Sequence, residues 1–582
     1  IDVLFDYFSD LMKKQNYNDP IFNVWVQVNR SIQKLAEPNV KAERFLKALG
    51  IIKIVSEEQS LPPTTEILKF ALSETTNNDE YEEIIKLLSS DKIIYIRKSD
   101  GHIHFFDGSD VDFNDEILKV KGTYKYQPMF NISRILNEYF LPYPILANRY
   151  NDQNEMTRYF WPKFYTYEEL VQGVDWDKEL IDLGYADGIL ALVVLSEENM
   201  EISVEKLFES NRHDQILFAI SSVKLNIAEI LFDYQALELF KMDKKFVEQD
   251  PKVLVELEAY LDDYEEQIKL ELSKLTEPRS GLVNYYYLGK RIENINSGAK
   301  LSRCVSNICE KVFCLSPKIN NELINKNSIT STISTARKKV ISGILEQHLK
   351  PNLGLTGFGP DVSIFRSLLV RTGIFEERED QVILGKPKEE NLAYIIHRID
   401  EWILDSSSKS KNMEEIYAIL RKPPYGVRLG IIPIIIALSL RKYSGYMVIK
   451  DSRGIEQPFS PEVLDAMSKH PNNYYLELES WDSAKEEYIK QLSILYSEFI
   501  NKTKESSNRL FPVAMGLKNW FISLPKFTRE TQLGSEFAEL KRVLRSPSTD
   551  SKELLLKKIP KSICGDQYFV SDNYLTYLKK IT

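Results

Sequence analysis

The stretch DKIIYIRKSDGHIHFFDGSDVDFND, Asp91–Asp115, decides how the chain is read. Two runs rich in β-branched and aromatic residues, Ile93–Arg97 and His102–Phe106, flank a Ser99-Asp100-Gly101 turn, which is the pattern of a β-hairpin. Directly before it, EYEEIIKLLSS (Glu80–Ser90) has helical spacing. Upstream again, PPTTEILKFALS puts Pro62 and Pro63 at a helix start, with Thr64 or Thr65 as the cap. KAERFLKALGIIKIVS (Lys41–Ser56) repeats apolar residues at Phe45, Leu46, Leu49 and Ile52, a third helical face. Three helices followed by a two-stranded wing are the order of a winged helix-turn-helix. Its third helix carries Glu80, Glu82 and Glu83 against Lys86, and aspartates follow the wing, so the charge is wrong for a DNA groove.

The remaining chain is too long for one core: 582 residues imply several domains. Its composition, 43% hydrophobic, 11% aromatic and 27% charged, is that of an ordinary globular protein, and a net charge of −10 argues against a nucleic-acid coat. Four cysteines give no disulfide framework, which points to a reducing cytoplasm. GIIPIIIALSL (Gly430–Leu440) is too short to span a bilayer and reads as a buried helix, so no membrane partner is expected. The first residue is Ile1, and the start IDVLFDYFSDLMKKQ is amphipathic rather than a signal peptide, so a fragment or a processed product is expected.

The expected fold class is mainly α with small α/β and winged-helix modules, multidomain and α+β overall. Residues 1–40 form a helical segment, the possible end of an upstream ATPase domain, and 41–118 the winged helix. Residues 119–235 form a small α/β unit, because ILALVVL (Ile189–Leu195) and QILFAIS (Gln215–Ser221) are continuous apolar runs around the helix-like SVEKLFES. Residues 236–300 hold a long acidic helix (Pro251–Pro278) in a helical hairpin. Residues 301–400 are helical and helix-turn-helix-like, with a short helix NELIN before STISTARKKVISGILEQ. Residues 401–480 resemble a second winged helix, with YMVIKDSRGIEQPF as its wing and Asp451–Gly454 as the turn; 481–582 are helical, with SPSTDSKELL as a loop.

No catalytic motif is present. A P-loop would read G-x-x-x-x-G-K-[ST]; the nearest stretch, NLGLTGFGPD (Asn352–Asp361), lacks the lysine. Cys304, Cys309 and Cys314 are five residues apart, which scatters them around a helix, so core thiols are expected rather than a zinc site. His102 and His104 share one strand face but lack further ligands, and His213 beside Asp214 has no nucleophile. Nuclease carboxylate patterns are missing around Asp187. The site candidates are therefore basic and aromatic: Arg337, Lys338 and Lys339 after the second helix-turn-helix, with Arg149, Arg158 and Trp161 as secondary nucleic-acid contacts. The alternative for each is a charge in solvent at a core edge.

Several strings in order, FFDGSDVDF, RYNDQNEMTRYF, PKINNELINKNSITSTISTARKKVISGIL, SIFRSLLVRTGIF and KPPYGVRLGIIPIIIALSL, resemble the region C-terminal to the P-loop core of large bacterial ATP-binding proteins of anti-phage defence islands, BREX-type ATPases included. The resemblance spans residues 40–540. It implies a P-loop domain upstream, a regulatory or interaction arm here, and as partners that ATPase domain (upstream or separate), other defence proteins, and DNA or RNA. The nucleotide-binding motif is absent, so no ATP-contacting residue and no cofactor is assigned, and enzymatic activity stays open. A stand-alone DNA-binding regulator with tandem winged helices, or a cryptic nuclease or hydrolase near Asp187–Ser221, are the alternatives.

Overall fold

The computed structural model describes residues 1–12, 20–55, 61–73, 78–106, 113–124, 130–195, 207–208, 211–242, 251–378, 381–407, 409–479, 483–500, 510–531, 535–545 and 550–564. The protein is mainly α with several small sheets, and its contacts divide it into two compact units. The first comprises residues 1–143, 162–175 and 189–301; the second comprises 144–161, 176–188 and 302–582.

The first unit opens with helices, of which Val40–Val55 (α1), Thr65–Leu72 (α2) and Asn78–Ser90 (α3) bury one side each. Phe45, Leu46, Leu49 and Ile52 are all in that core, as their spacing predicts, with Leu68, Leu72, Tyr81 and Leu88. Thr64 caps α2, its side chain accepting from the Ile67 N–H. The hairpin follows as Ile94–Ile96 (β1) and Ile103–Phe105 (β2), antiparallel with Tyr95 opposite His104. Gly101 makes the turn at φ 71°, a conformation that suits glycine. Thr64 forms an isolated antiparallel bridge to His102, so the extended residues before α2 lie beside β2. The acidic segment 107–112 lies outside the described residues, as does most of SVEKLFES.

The same unit holds most of a six-stranded mixed sheet, five of whose strands lie in the order β3-β4-β5-β6-β7, from Tyr159–Thr166 (β3), Gly188–Val194 (β4), Ile216–Ser221 (β5), Val283–Tyr287 (β6) and Lys290–Ile292 (β7); residues of β3 up to Trp161 and Gly188 of β4 belong to the second unit. The two apolar runs form its central parallel pair, Ile189 opposite Ile216, and every residue of both strands is buried. Two-sided burial is why they read as continuous rather than alternating apolar sequence. Helices Ala228–Lys241 (α4) and Pro251–Thr276 (α5) run antiparallel, tied by Tyr264 to Asp233 at 3.4 Å and Lys241 to Glu258 at 3.9 Å.

In the second unit the helix Ser331–Leu345 (α6), Glu390–Asp405 (α7), Met413–Arg421 (α8) and Ile432–Arg441 (α9) share one large core. Residues 432–440 of α9 are all buried, which is why these nine successive residues are almost uniformly apolar. A four-stranded sheet lies in the order β8-β11-β9-β10, from Lys411–Asn412 (β8), Met447–Asp451 (β9), Glu456–Gln457 (β10) and Tyr474–Leu478 (β11). The β9–β10 turn falls at Asp451–Gly454, as its sequence predicts, but β9 pairs more extensively with β11, which follows the intervening helix Pro461–Lys469 (α10). The expected short helix NELIN is absent: residues 321–328 make turns. Its asparagines explain this. Asn321 accepts from the Leu323 N–H, and buried Asn325 donates to the Ile319 carbonyl, so side chains take the place of a helical ladder.

Candidate functional site

The second unit buries two arginine–aspartate clusters, and the strings singled out above converge on them. In the first, Arg158 from TRYF immediately precedes β3, and Asp187 sits in the turn before β4. Arg158 is fully buried; its Nη1 donates to Asp187 Oδ1 at 2.6 Å and its Nη2 to the Gly426 carbonyl at 2.8 Å and Ser316 Oγ at 3.0 Å. The Phe313 ring covers the guanidinium 3.7 Å from its centroid. Arg428 closes the other side, donating from Nη2 to Asp187 Oδ2 at 2.8 Å. Gly426 has φ 55°, and any Cβ there would collide with Phe313 and Arg158. The sequence YGVR thus supplies the space for one arginine and a second arginine for the same carboxylate. Burial opposes ionisation of Asp187, but the two guanidinium groups outweigh it and hold the carboxyl below the usual carboxylate range. Both its oxygens are occupied, Oδ2 also accepting the Tyr159 N–H at 3.3 Å, so it offers no face to a metal or a water nucleophile.

The second cluster forms where α6 meets α10. Arg337 is 3% exposed, donating to Asp465 Oδ1 at 2.5 Å, to Ser468 Oγ at 3.1 Å, and to the carbonyls of Leu429 and Gly430. Ser334 donates to the same Asp465 oxygen at 2.8 Å, and Lys469 pairs with the other at 3.2 Å. Burial works against the Asp465 charge, but the bonds from Arg337 and Ser334 prevail and keep its carboxyl acidic. Above this pair opens a cleft of about 540 Å³, lined by Asn327 and Ser328, by the first two turns of α6, and by Leu429 and Lys469.

The six basic and aromatic candidates do not assemble into one surface. Arg158 and Arg337 correct the expectation of a nucleic-acid contact: each guanidinium is buried and bound to an internal carboxylate, leaving no face for a phosphate. Arg149 is exposed but pairs with Glu310 at 2.8 Å, and exposed Lys339 pairs with Asp361 at 3.3 Å. Trp161 is half-buried on β3, 6.2 Å from the Tyr159 ring. Only Lys338, half-buried in the cleft wall, has no ion-pair partner among the described residues. Sequence alone missed Asp465 and Arg428, because a counter-ion 128 residues away carries no local signal.

In the first unit the hairpin is fastened to α5. The N–H groups of Lys98 and Ser99 donate to Asp263 at 3.2 and 2.9 Å, and Arg97 lies 3.7 Å from the same carboxylate. Tyr95 stacks between His104 and Tyr260, with centroids at 5.2 and 6.1 Å. Burial, then the charges of Lys53 and Arg97, push His104 down to about 4. On α3 the solvent-facing side presents Asp79, Glu82, Glu83, Lys86 and Leu87. Cys304 and Cys309 are buried thiols pushed up by that burial to about 11 and about 12, whereas Cys314 is exposed. No helix among the described residues is long and apolar enough to cross a membrane.

No protein-family profile, curated protein or solved structure matches this chain.

Proposed function

We propose that the chain is an interaction arm of a larger bacterial ATP-dependent assembly of the anti-phage defence type, and that it docks a protein partner rather than reading nucleic acid. The observation that carries this reading is the state of the hairpin module in the first unit. Helix α1, the extended residues at Thr64, helices α2 and α3, and the hairpin follow one another in winged-helix order, with the Thr64 segment beside β2 and β2 beside β1. A groove-reading winged helix needs cations on its third helix and in its wing. Here α3 turns three carboxylates and one lysine to solvent, and Arg97 of the wing is spent on Asp263. Leu87 (39% exposed) gives that acidic side an apolar anchor of the kind protein interfaces use, and Phe70 of α2 is exposed as well (83%).

The module around α7–α9 supports the same view. Its α7-β8-α8-α9-β9 order, with β11 between β8 and β9, supports reading it as a winged-helix-like unit carrying an insertion of β10 and α10. Its third helix, α9, is buried on all sides and has no face for a groove.

The test is a fluorescence-anisotropy titration of labelled duplex and single-stranded oligonucleotides with the full chain at low salt, beside an ATP-hydrolysis assay. A docking arm gives no saturable nucleic-acid binding and no hydrolysis above a buffer blank. Saturable duplex binding that Lys86→Ala weakens, or hydrolysis of ATP by the purified chain, would overturn the reading.

A further inference from the structure

We propose that the C-terminal helices of the second unit carry a docking surface of their own, and that it takes an acidic protein segment whose carboxylates alternate with apolar side chains. The helix Leu510–Ser523 buries Val513, Leu517 and Trp520 on one side. Met515 and Ile522, seven residues apart, fall on the opposite side and are exposed, Ile522 by 63%. The short helix Lys526–Glu530 follows, and none of its residues is buried. Phe527 stands 81% exposed on it.

Core packing does not hold that short helix in place; its last carbonyls do. Lys541 Nζ donates to the Thr528 and Thr531 carbonyls at 2.7 and 2.8 Å, and Arg545 donates to the Arg529 carbonyl. The neighbouring helix Ser535–Arg545 therefore fixes the segment that carries Phe527 and leaves the ring uncovered.

Charge selects the occupant. From Leu510 to Arg545 six lysines and arginines stand against three glutamates, in a chain of net charge −10. Glu530 is taken by Lys526 at 4.0 Å and Glu539 by Arg542 at 2.7 Å. Arg529, Lys541 and Arg545 meet no carboxylate among the described residues, and the three converge on the end of the short helix. Clustered cations of this kind recognise acidic motifs, and exposed apolar side chains beside them act as anchors. A continuous phosphate backbone fits worse. Lys541 and Arg545 already donate to carbonyls, so they supply a field rather than a row of phosphate contacts, and Glu530 and Glu539 stand among them. A protein segment can set its carboxylates against the cations and its apolar side chains against Met515, Ile522 and Phe527.

The experiment is a fluorescence-anisotropy titration of the full chain, at low salt, against a labelled peptide of repeating Glu-Glu-Leu, its Gln-Gln-Leu counterpart and a labelled oligothymidylate. The Glu-Glu-Leu peptide should bind saturably, and at least about tenfold more tightly than the uncharged counterpart. Lys526→Glu combined with Phe527→Ala, at two exposed positions, should weaken it about tenfold or more. Phe358→Ala, which removes a 95% exposed ring elsewhere in the same unit, should bind as the unaltered chain does. So should Glu82→Lys with Leu87→Asp, which separates this surface from docking through α3. Circular dichroism checks that each variant is folded. Absence of saturable peptide binding overturns the proposal, as does equal affinity for the two peptides, equal affinity in the Lys526 and Phe527 variant, or an equal loss in either control. Oligothymidylate binding that the same variant weakens, with no peptide binding, also overturns it, because the surface would then be a nucleic-acid contact.

Discussion

Replacing Asp187 with alanine removes the one carboxylate between two buried guanidinium groups. Asp187 is 4% exposed, Arg158 is fully buried, and Arg428 is 5% exposed. Deleting one partner of a buried ion pair costs about 3–5 kcal/mol, because the remaining charge keeps its desolvation penalty without its attraction. Here two cations lose their counter-ion and the Tyr159 N–H loses its acceptor, so the upper end, about 5 kcal/mol, is expected. That is a large part of the roughly 5–15 kcal/mol by which domains are stable. Urea unfolding at neutral pH, followed by circular dichroism and by hydrogen exchange in the second unit, measures it. Arg149→Ala is the control: its partner Glu310 is as exposed as Arg149 itself, and the loss should stay below about 1 kcal/mol. The difference also depends on pH. The folded Asp187 carboxyl is more acidic than in the unfolded chain, so its stabilisation is complete above the ordinary carboxylate pKa and is lost as pH falls through the depressed folded value. Wild type and Asp187→Ala should therefore converge in acid. A Asp187→Ala protein within about 1 kcal/mol of wild type at pH 7 would refute the reasoning.

His104 acts in the same direction at higher pH: its folded pKa of about 4 lies below the ordinary histidine value, so the unfolded chain binds the proton first. The first unit should lose about 3 kcal/mol as pH falls from about 6.5 to about 4, and His104→Phe should flatten that slope in a pH series of melts. Asp263→Ala removes the acceptor of two hairpin N–H groups, so the amides of Lys98 and Ser99 should exchange at least about tenfold faster while the α1 core amides keep their rates. Among Cys304, Cys309 and Cys314, peptide-mapped iodoacetamide labelling should modify Cys314 first; equal labelling of Cys309 would contradict its burial.

Local pattern carried much of the fold. The hairpin at β1 and β2, the cap at Thr64, the buried parallel strands and the long α5 were legible because each is set by periodicity or turn chemistry within a dozen residues. The second unit was less legible. Its β8-β11-β9-β10 order joins strands that α10 separates in sequence, and NELIN has helical composition but spends its asparagines on side-chain bonds. The basic candidates show the same limit. Arg158 next to aromatic residues reads as a base-stacking patch, yet Phe313 and Asp187, which make it a buried pin, arrive from distant parts of the chain. Lys338 could be told from Lys339 only once Asp361 was placed beside the latter.

Light-scattering size-exclusion chromatography of the full chain mixed with a purified P-loop ATPase of the bacterial defence-island type tests the proposed docking most directly. A docking arm should elute with that ATPase as one stoichiometric complex. Glu82→Lys combined with Leu87→Asp, changes on the exposed side of α3 that leave its core residues in place, should dissolve the complex without changing the chain's own elution. Two separate peaks for the unaltered proteins, or a complex indifferent to both substitutions, would contradict docking through this face.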